Sequence, residues 1–240
     1  MEITSLKNPK VIFWSKLKQK KYRDENNLFI VESPHLVKEA LKKEIVIEII
    51  TLNDENYNIP TFKVTYDIMK KISNLSSPSN IMAVCKFLPP NDIIGNKILV
   101  LDKIQDPGNL GTIIRSCVAF NVQTLIISDD TVDIYNDKVI RSSEGMIFNI
   151  NIIRSNLLDI LPKLKTLGYK IYGTDVVGGT NVKDVNEEKC IVVIGSEGQG
   201  MSEKVKNMCD GFIYINMSDK CESLNAAVAG SIIMYDMFGR

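Results

Sequence analysis

The chain has 240 residues, 45% of them apolar and 24% charged, and its 29 basic and 29 acidic side chains cancel. This is an ordinary globular balance, sized for one large or two small domains. No stretch reaches the roughly 20 apolar residues of a membrane span, and the opening MEITSLKNPK lacks the apolar core of a secretory leader. The five cysteines are odd in number, scattered and without a C-x-x-C pair, and His35 is the single histidine, so a metal site is not expected. Reduced thiols in a cytoplasmic protein are the expectation.

The charge is unevenly spread. Residues 1–23 hold Lys7, Lys10, Lys16, Lys18, Lys20, Lys21 and Arg23 against one acid, Glu2. Residues 1–90 carry 14 basic and 10 acidic side chains, and residues 91–240 carry 15 and 19. A basic head on an acidic body points to a polyanion at the head, although a solvated helix face also reads this way.

In chain order, residues 3–23 read as helix, with Leu6, Val11, Trp14 and Leu17 as apolar points among lysines. Phe29–Val31 reads as a strand, and Ser33-Pro34 as a helix start with Ser33 as cap. Strands are expected at 46–52, 62–64 and 81–87, and a helix at 67–72. His35 at a helix start reads as a surface or capping residue. The loop NLSSPSN at 74–80 and Pro89-Pro90 close this α/β unit, which predicts domains 1–92 and 93–240.

The second domain opens with KILVL at 97–101, a continuous apolar run of the kind buried on both faces of a parallel sheet. Similar runs follow at 124–127, 150–153, 170–172, 190–194 and 212–215. Helical patterns at 110–120, 138–143, 157–167, 201–208 and the C-terminus lie between most of them. Alternation of this kind predicts an α/β domain with a largely parallel sheet, whose ligands sit at the carboxyl ends of the strands. Three strand exits carry unusual polar loops: Asp106–Gly111, Gly195–Gly200, and the turn from Asn216 to Asn225, where Ser223 is placed to cap the last helix.

Several chemistries are excluded. Gly195–Gly200 reads G-x-x-G-x-G, not the dinucleotide fingerprint, and no Gly-Lys-Ser/Thr triplet forms a P-loop. No Ser or Cys has a histidine base nearby, because His35 lies in the other domain. Asp129, Asp130, Asp133 and Asp137 share one loop and read as a solvated edge.

Taken together, the three loops resemble the signature motifs of the SpoU/TrmH family of RNA 2′-O-ribose methyltransferases, in the SPOUT superfamily. The matching stretches are Asn109–Arg115, Val193–Ser202 and Ile215–Asn225; Lys138–Gly145 also looks like a family segment. Ser5–Pro9 and Phe29–Ala40 resemble the family's L30e-like RNA-binding domain. Asn216 stands where the family usually has Pro, Asp219 where Gly is common, and Ala226-Ala227 where Val-Ser is common.

The resemblance implies a trefoil-knotted, SPOUT-type parallel sheet with helices on both faces, a homodimer, and S-adenosylmethionine as cofactor. It implies donor contacts from Thr174, Gly195, Ile215, Met217, Ser223 and Leu224. It assigns the chemistry to Asn109, Arg115, Glu197, Ser223 and Asn225, and RNA contacts to Ser218, Arg141 and the basic head. Arginine stays protonated near neutrality, so Arg115 fits a clamp on the target phosphate better than a base. Ribosomal RNA is the expected target, transfer RNA the alternative, and a non-catalytic RNA-binding or ribosome-assembly protein with the same fold the reading from another class.

Overall fold

The computed structural model describes residues 1–89, 91, 94–176 and 178–239. Its elements begin with β1 (Glu2–Ile3), α1 (Pro9–Lys16), α2 (Lys20–Asn26), β2 (Leu28–Glu32), α3 (Pro34–Lys42), β3 (Val46–Thr51), β4 (Thr61–Val64), α4 (Tyr66–Ile72) and β5 (Ile81–Lys86). Then come β6 (Lys97–Asp102), α5 (Pro107–Ala119), β7 (Thr124–Ile127), α6 (Asp137–Ser142), β8 (Asn151–Arg154) and α7 (Leu157–Thr166). The chain ends with β9 (Lys170–Thr174), β10 (Thr180–Asn181), β11 (Cys190–Gly195), α8 (Glu203–Lys206), β12 (Gly211–Tyr214) and α9 (Ala226–Phe238).

These elements pack into two compact units. One comprises Met1–Pro89 with Asp133–Phe148, the other Pro90–Val132 with Asn149–Arg240. The boundary expected between 92 and 93 lies outside the described residues. Residues 133–148, expected in the second domain, pack with the first unit.

In the first unit a five-stranded sheet runs β1-β4-β3-β5-β2, with β5 antiparallel to its neighbours. Ser33 caps α3, its Oγ accepting from Leu36 N at 3.2 Å, with Pro34 at the first helical position. The expected helix over 3–23 is instead two short ones. The first is held by Trp14, wholly buried, whose indole N–H donates to Glu48 Oε2 at 2.8 Å. Glu48 also takes Lys10, whose ammonium sits 4.6 Å from the centre of the Phe62 ring.

Segment 133–148 packs into this unit through its buried side chains, among them Tyr135, Val139, Ile140, Ile147 and Phe148. Tyr135 stacks on Phe87 with ring centres 4.0 Å apart, and its hydroxyl accepts from Leu88 N at 2.8 Å. Asp133 pairs with Arg23 at 2.6 Å, and the Arg23 side chain is only 7% exposed. Arg23 also donates to the carbonyls of Leu17 and Lys18. Of the acids read as a solvated edge, Asp133 is therefore a buried ion-pair partner, and Asp137 pairs with Arg141 on α6.

In the second unit seven strands, all parallel, run β10-β12-β9-β11-β6-β7-β8. Strands β6, β7 and β11 are buried almost throughout, as their apolar runs require. β11 returns between β6 and β9, and β12 lies outside β9. The carboxyl ends of β6, β9, β11 and β12 therefore share one end of the sheet, and so do the loops that leave them.

Removing one partner of a buried ion pair leaves the other charge uncompensated. Asp133→Ala is expected to lower stability by about 3–5 kcal/mol, whereas the exposed Asp130→Ala changes it by less than about 0.5 kcal/mol; urea unfolding measures both. Burial pushes the Tyr135 phenol up to about 12, ahead of the opposing hydrogen bond from Leu88. Its stabilising contribution is full below pH 10 and is lost as pH rises toward 12. Thermal melts of Tyr135→Phe should lose that part of the alkaline decline.

Candidate active site

The site grows from strand ends. β6 closes on Asp102, 2% exposed, whose Oδ2 accepts from Ser202 N at 2.8 Å and so fastens the loop after β11. Asp106 then caps α5, its Oδ1 accepting from Asn109 N at 2.9 Å, with Pro107 at the first helical position. This cap places Asn109 in the first helical turn, at the sheet's carboxyl end.

The loop after β11 folds back on itself: Ser196 N donates to Gly200 O at 3.1 Å, and Gly200 N to Ser196 O at 2.8 Å. Gly200 takes φ +65°, and a Cβ on Gly195 would stand 2.1 Å from Met201 N. Only glycine fits at 195 without moving that backbone. The turn delivers Glu197.

The third loop ends on Asn225, whose Oδ1 accepts from Ala227 N and Val228 N at 3.0 and 3.3 Å. Asn225, not Ser223, is therefore the cap of α9. Its side-chain amide donates to Glu197 Oε1 at 2.8 Å and to Asn109 Oδ1 at 3.1 Å. Asn109 Nδ2 donates to the same Glu197 oxygen. Three loops thus meet on one carboxylate.

Beside this junction lies a cavity of about 280 Å³. All six residues expected to contact the donor line it: Thr174, Gly195, Ile215, Met217, Ser223 and Leu224. Its apolar wall comes from Ile194, Ile213 and Met201, and from Ala226, Ala229 and Ile233 of α9. Glu197 is on its rim and also lines a neighbouring cavity of about 210 Å³ with Asn109, Gln105 and Asp106.

Arg115 stands apart. It is exposed, lines neither cavity, and makes no hydrogen bond or ion pair among the described residues. Six residues beyond Asn109 on the same helix, it points about 120° away around the axis. Ser218 lines a separate cavity of about 350 Å³, formed by the third loop. Sequence reasoning missed Asp102, Met201 and Lys206. The available signal for Asp102 was an acid closing a buried apolar run.

The expected RNA-binding side chains divide. Arg23 is buried against Asp133, a correction to its place in an RNA grip, for which it would have to leave its partner. Lys10 is held by Glu48, Lys20 by Asp24, Arg141 by Asp137, and Lys18 donates to the carbonyl of Ser73 at 2.6 Å. Lys21 lies 3.9 Å from Glu25, and Lys16 sits over the Tyr22 ring. Lys7 is exposed.

Residues 96–235, more than half of the chain, match the SpoU rRNA Methylase family, and residues 8–83 match an MRM3-like substrate binding domain. The chain belongs to the SpoU rRNA methylase family. It is 34% identical to the 23S rRNA (guanosine(2553)-2′-O)-methyltransferase RlmP of Bacillus subtilis, over 99% of both chains. Its fold matches the AdoMet-bound rRNA methyltransferase from Sinorhizobium meliloti with a TM-score of 0.89 at 25% identity, covering 98% of this chain and 96% of that one. The SpoU methyltransferase AviRb of Streptomyces viridochromogenes, with AdoMet, matches in fold with a TM-score of 0.85 at 23% identity, covering 96% and 97%. This SpoU methylase is an RNA 2′-O-ribose methyltransferase, and its methyl donor is S-adenosylmethionine.

The cavity's donor set suits that cofactor. An apolar slot accepts a nucleoside ring, the hydroxyls of Thr174 and Ser223 offer polar contacts, and the carboxylate of Glu197 tolerates a nearby cation. Gly195→Ala must push the turn at 195–201 out of place; calorimetric affinity for S-adenosylmethionine should fall more than about tenfold, or ~1.4 kcal/mol. Cys85 and Cys117 are buried, and burial pushes both thiols up, whereas Cys221 is exposed. Cys221 shares a cavity with Ile215 and Met217. It should therefore react first with a thiol reagent in the native protein, and S-adenosylmethionine should slow that reaction.

Proposed function

We propose that this methylase modifies the ribose 2′-hydroxyl of a guanosine in 23S ribosomal RNA. The similarity to RlmP along the whole chain supports this target. The observation that carries the site assignment is the junction of Asn109, Glu197 and Asn225 beside the cavity. When bound, S-adenosylmethionine supplies a methyl group already activated by its sulfonium.

The chain's own residues then have to hold the ribose and manage a proton. Thr174, Gly195, Ile215, Met217, Ser223 and Leu224 hold the donor, largely through backbone and apolar surface. Asn109 and Asn225 fix the Glu197 carboxylate, and that fixed geometry positions the nucleotide at the mouth of the cavity. Ser223 and Ser218 bind phosphate or relay the proton. Arg115 clamps the target phosphate and steadies developing alkoxide charge.

The working form is a homodimer. Support comes from α5 and α9, which pack together through a hydrogen bond between Ser116 and Ser231 at 2.7 Å. α9 leaves Val228 and Tyr235 48% and 57% exposed, seven residues apart and so on one face. Ribosomal RNA and S-adenosylmethionine are thus the partners, with a second copy of the chain.

Mapping of 2′-O-methylated nucleotides in ribosomal RNA, with and without the protein, tests the target. One guanosine of 23S rRNA should lose its methyl group in the deletion strain; an unchanged map would sink the assignment. Arg115→Lys keeps the charge and loses the two-pronged fork, so kcat should fall by about tenfold or more with donor affinity unchanged. Full activity in that variant would count against the clamp.

A further inference from the structure

The first unit carries a second exposed surface that shares only Lys7 with its expected lysine run. Strands β1 and β4 are parallel and in register, Ile3 opposite Val64. Both therefore leave the sheet at the same end, and Ser5–Lys7 emerges beside the first turn of α4. Tyr66, in that turn, is 53% exposed, and Leu6 is 42% exposed. Lys71 Nζ donates to Leu6 O at 2.8 Å and ties the two segments together.

Lys7 and Lys70 are exposed and have no ion-pair partner among the described residues. Tyr66 and Lys70 are four residues apart on α4 and so share one face. The acids nearby are Asp67, in the same helical turn as Tyr66, Glu2, opposite Lys63 on β1, and Asp54, which is occupied by Lys63 at 2.6 Å. The surface thus combines an uncovered aromatic ring and an aliphatic side chain with the cations Lys7 and Lys70, while the Lys71 ammonium is engaged by the Leu6 carbonyl. That is the chemistry of a single-stranded nucleic-acid platform: a base stacks on the ring while ammonium groups meet the flanking phosphates.

We infer that Tyr66, with Leu6, Lys7 and Lys70, forms an RNA-binding platform on which an unpaired base of the substrate stacks. This rests on the reading of the protein as an enzyme acting on RNA. It moves the grip from the α1–α2 lysines, most of which have internal partners, to the ends of β1 and β4. A partly exposed tyrosine among lysines is tolerated by folding alone, so its worth must be read from binding.

The test is fluorescence anisotropy of the full chain with a fluorescein-labelled single-stranded oligouridylate, at several salt concentrations. Tyr66→Ala should weaken binding about 5- to 100-fold, while Tyr66→Phe retains it. Replacing Lys7 and Lys70 together by Gln should flatten the salt dependence by about 1.4 in slope. Calorimetric affinity for S-adenosylmethionine should be unchanged in every variant, which separates lost contacts from lost folding. Unchanged RNA affinity in Tyr66→Ala overturns the platform and assigns the face to a protein partner or to none. A wild-type chain showing no salt-dependent RNA binding would instead overturn the broader reading, and the platform with it.

Discussion

The junction of the three loops depends on one carboxylate oxygen. Glu197 Oε1 accepts from the side-chain amides of both Asn109 and Asn225. Those residues lie 88 and 28 positions away along the chain. Each belongs to a different loop, and each loop alone is a polar connector with many conformations. Hydrogen bonds to a charged acceptor are worth about 1.5–3 kcal/mol each when well formed, and exposure at the surface reduces that. Their effect lies in joining three flexible segments, so that ordering one lowers the entropy cost of ordering the next. Both donors to it are neutral amides, and the junction lies beside the cavity.

The rest of the fold serves to bring those loops within reach. The buried runs of β6, β9, β11 and β12 form a rigid parallel floor, and their shared direction puts every exit at one end. Asp102 extends this order past the last strand residue by holding Ser202. α9 contributes twice: its cap, Asn225, reaches the junction, and its first turns supply Ala226, Ala229 and Ile233 to the cavity wall. In the first unit a comparable task falls to Arg23 and Asp133, whose ion pair anchors segment 133–148 among the elements of residues 1–89.

Much of this was legible in the residues. KILVL at 97–101 and the run at 190–194 declared buried parallel strands because both faces of such strands are covered. β1 and β10 escaped because two residues make no pattern. The helix expected over 201–208 shrank to Glu203–Lys206, since Met201 is drawn into the cavity wall and Ser202 N is taken by Asp102. Ser223 and Asn225 are both good capping types, and only backbone geometry chose between them. Arg23 looked like one more solvated cation because its partner lies 110 residues away, beyond any local signal. The order of the strands, with β11 returning between β6 and β9, leaves no trace in periodicity.

The most direct test of the convergence is a double-mutant cycle between Asn109→Ala and Asn225→Ala, read out as the dissociation constant for S-adenosylmethionine. If both amides fix the same carboxylate, the double variant should lose less than the two single variants combined, with a coupling of about 0.5–3 kcal/mol. Strictly additive losses would mean that the two loops act independently, and would contradict the account.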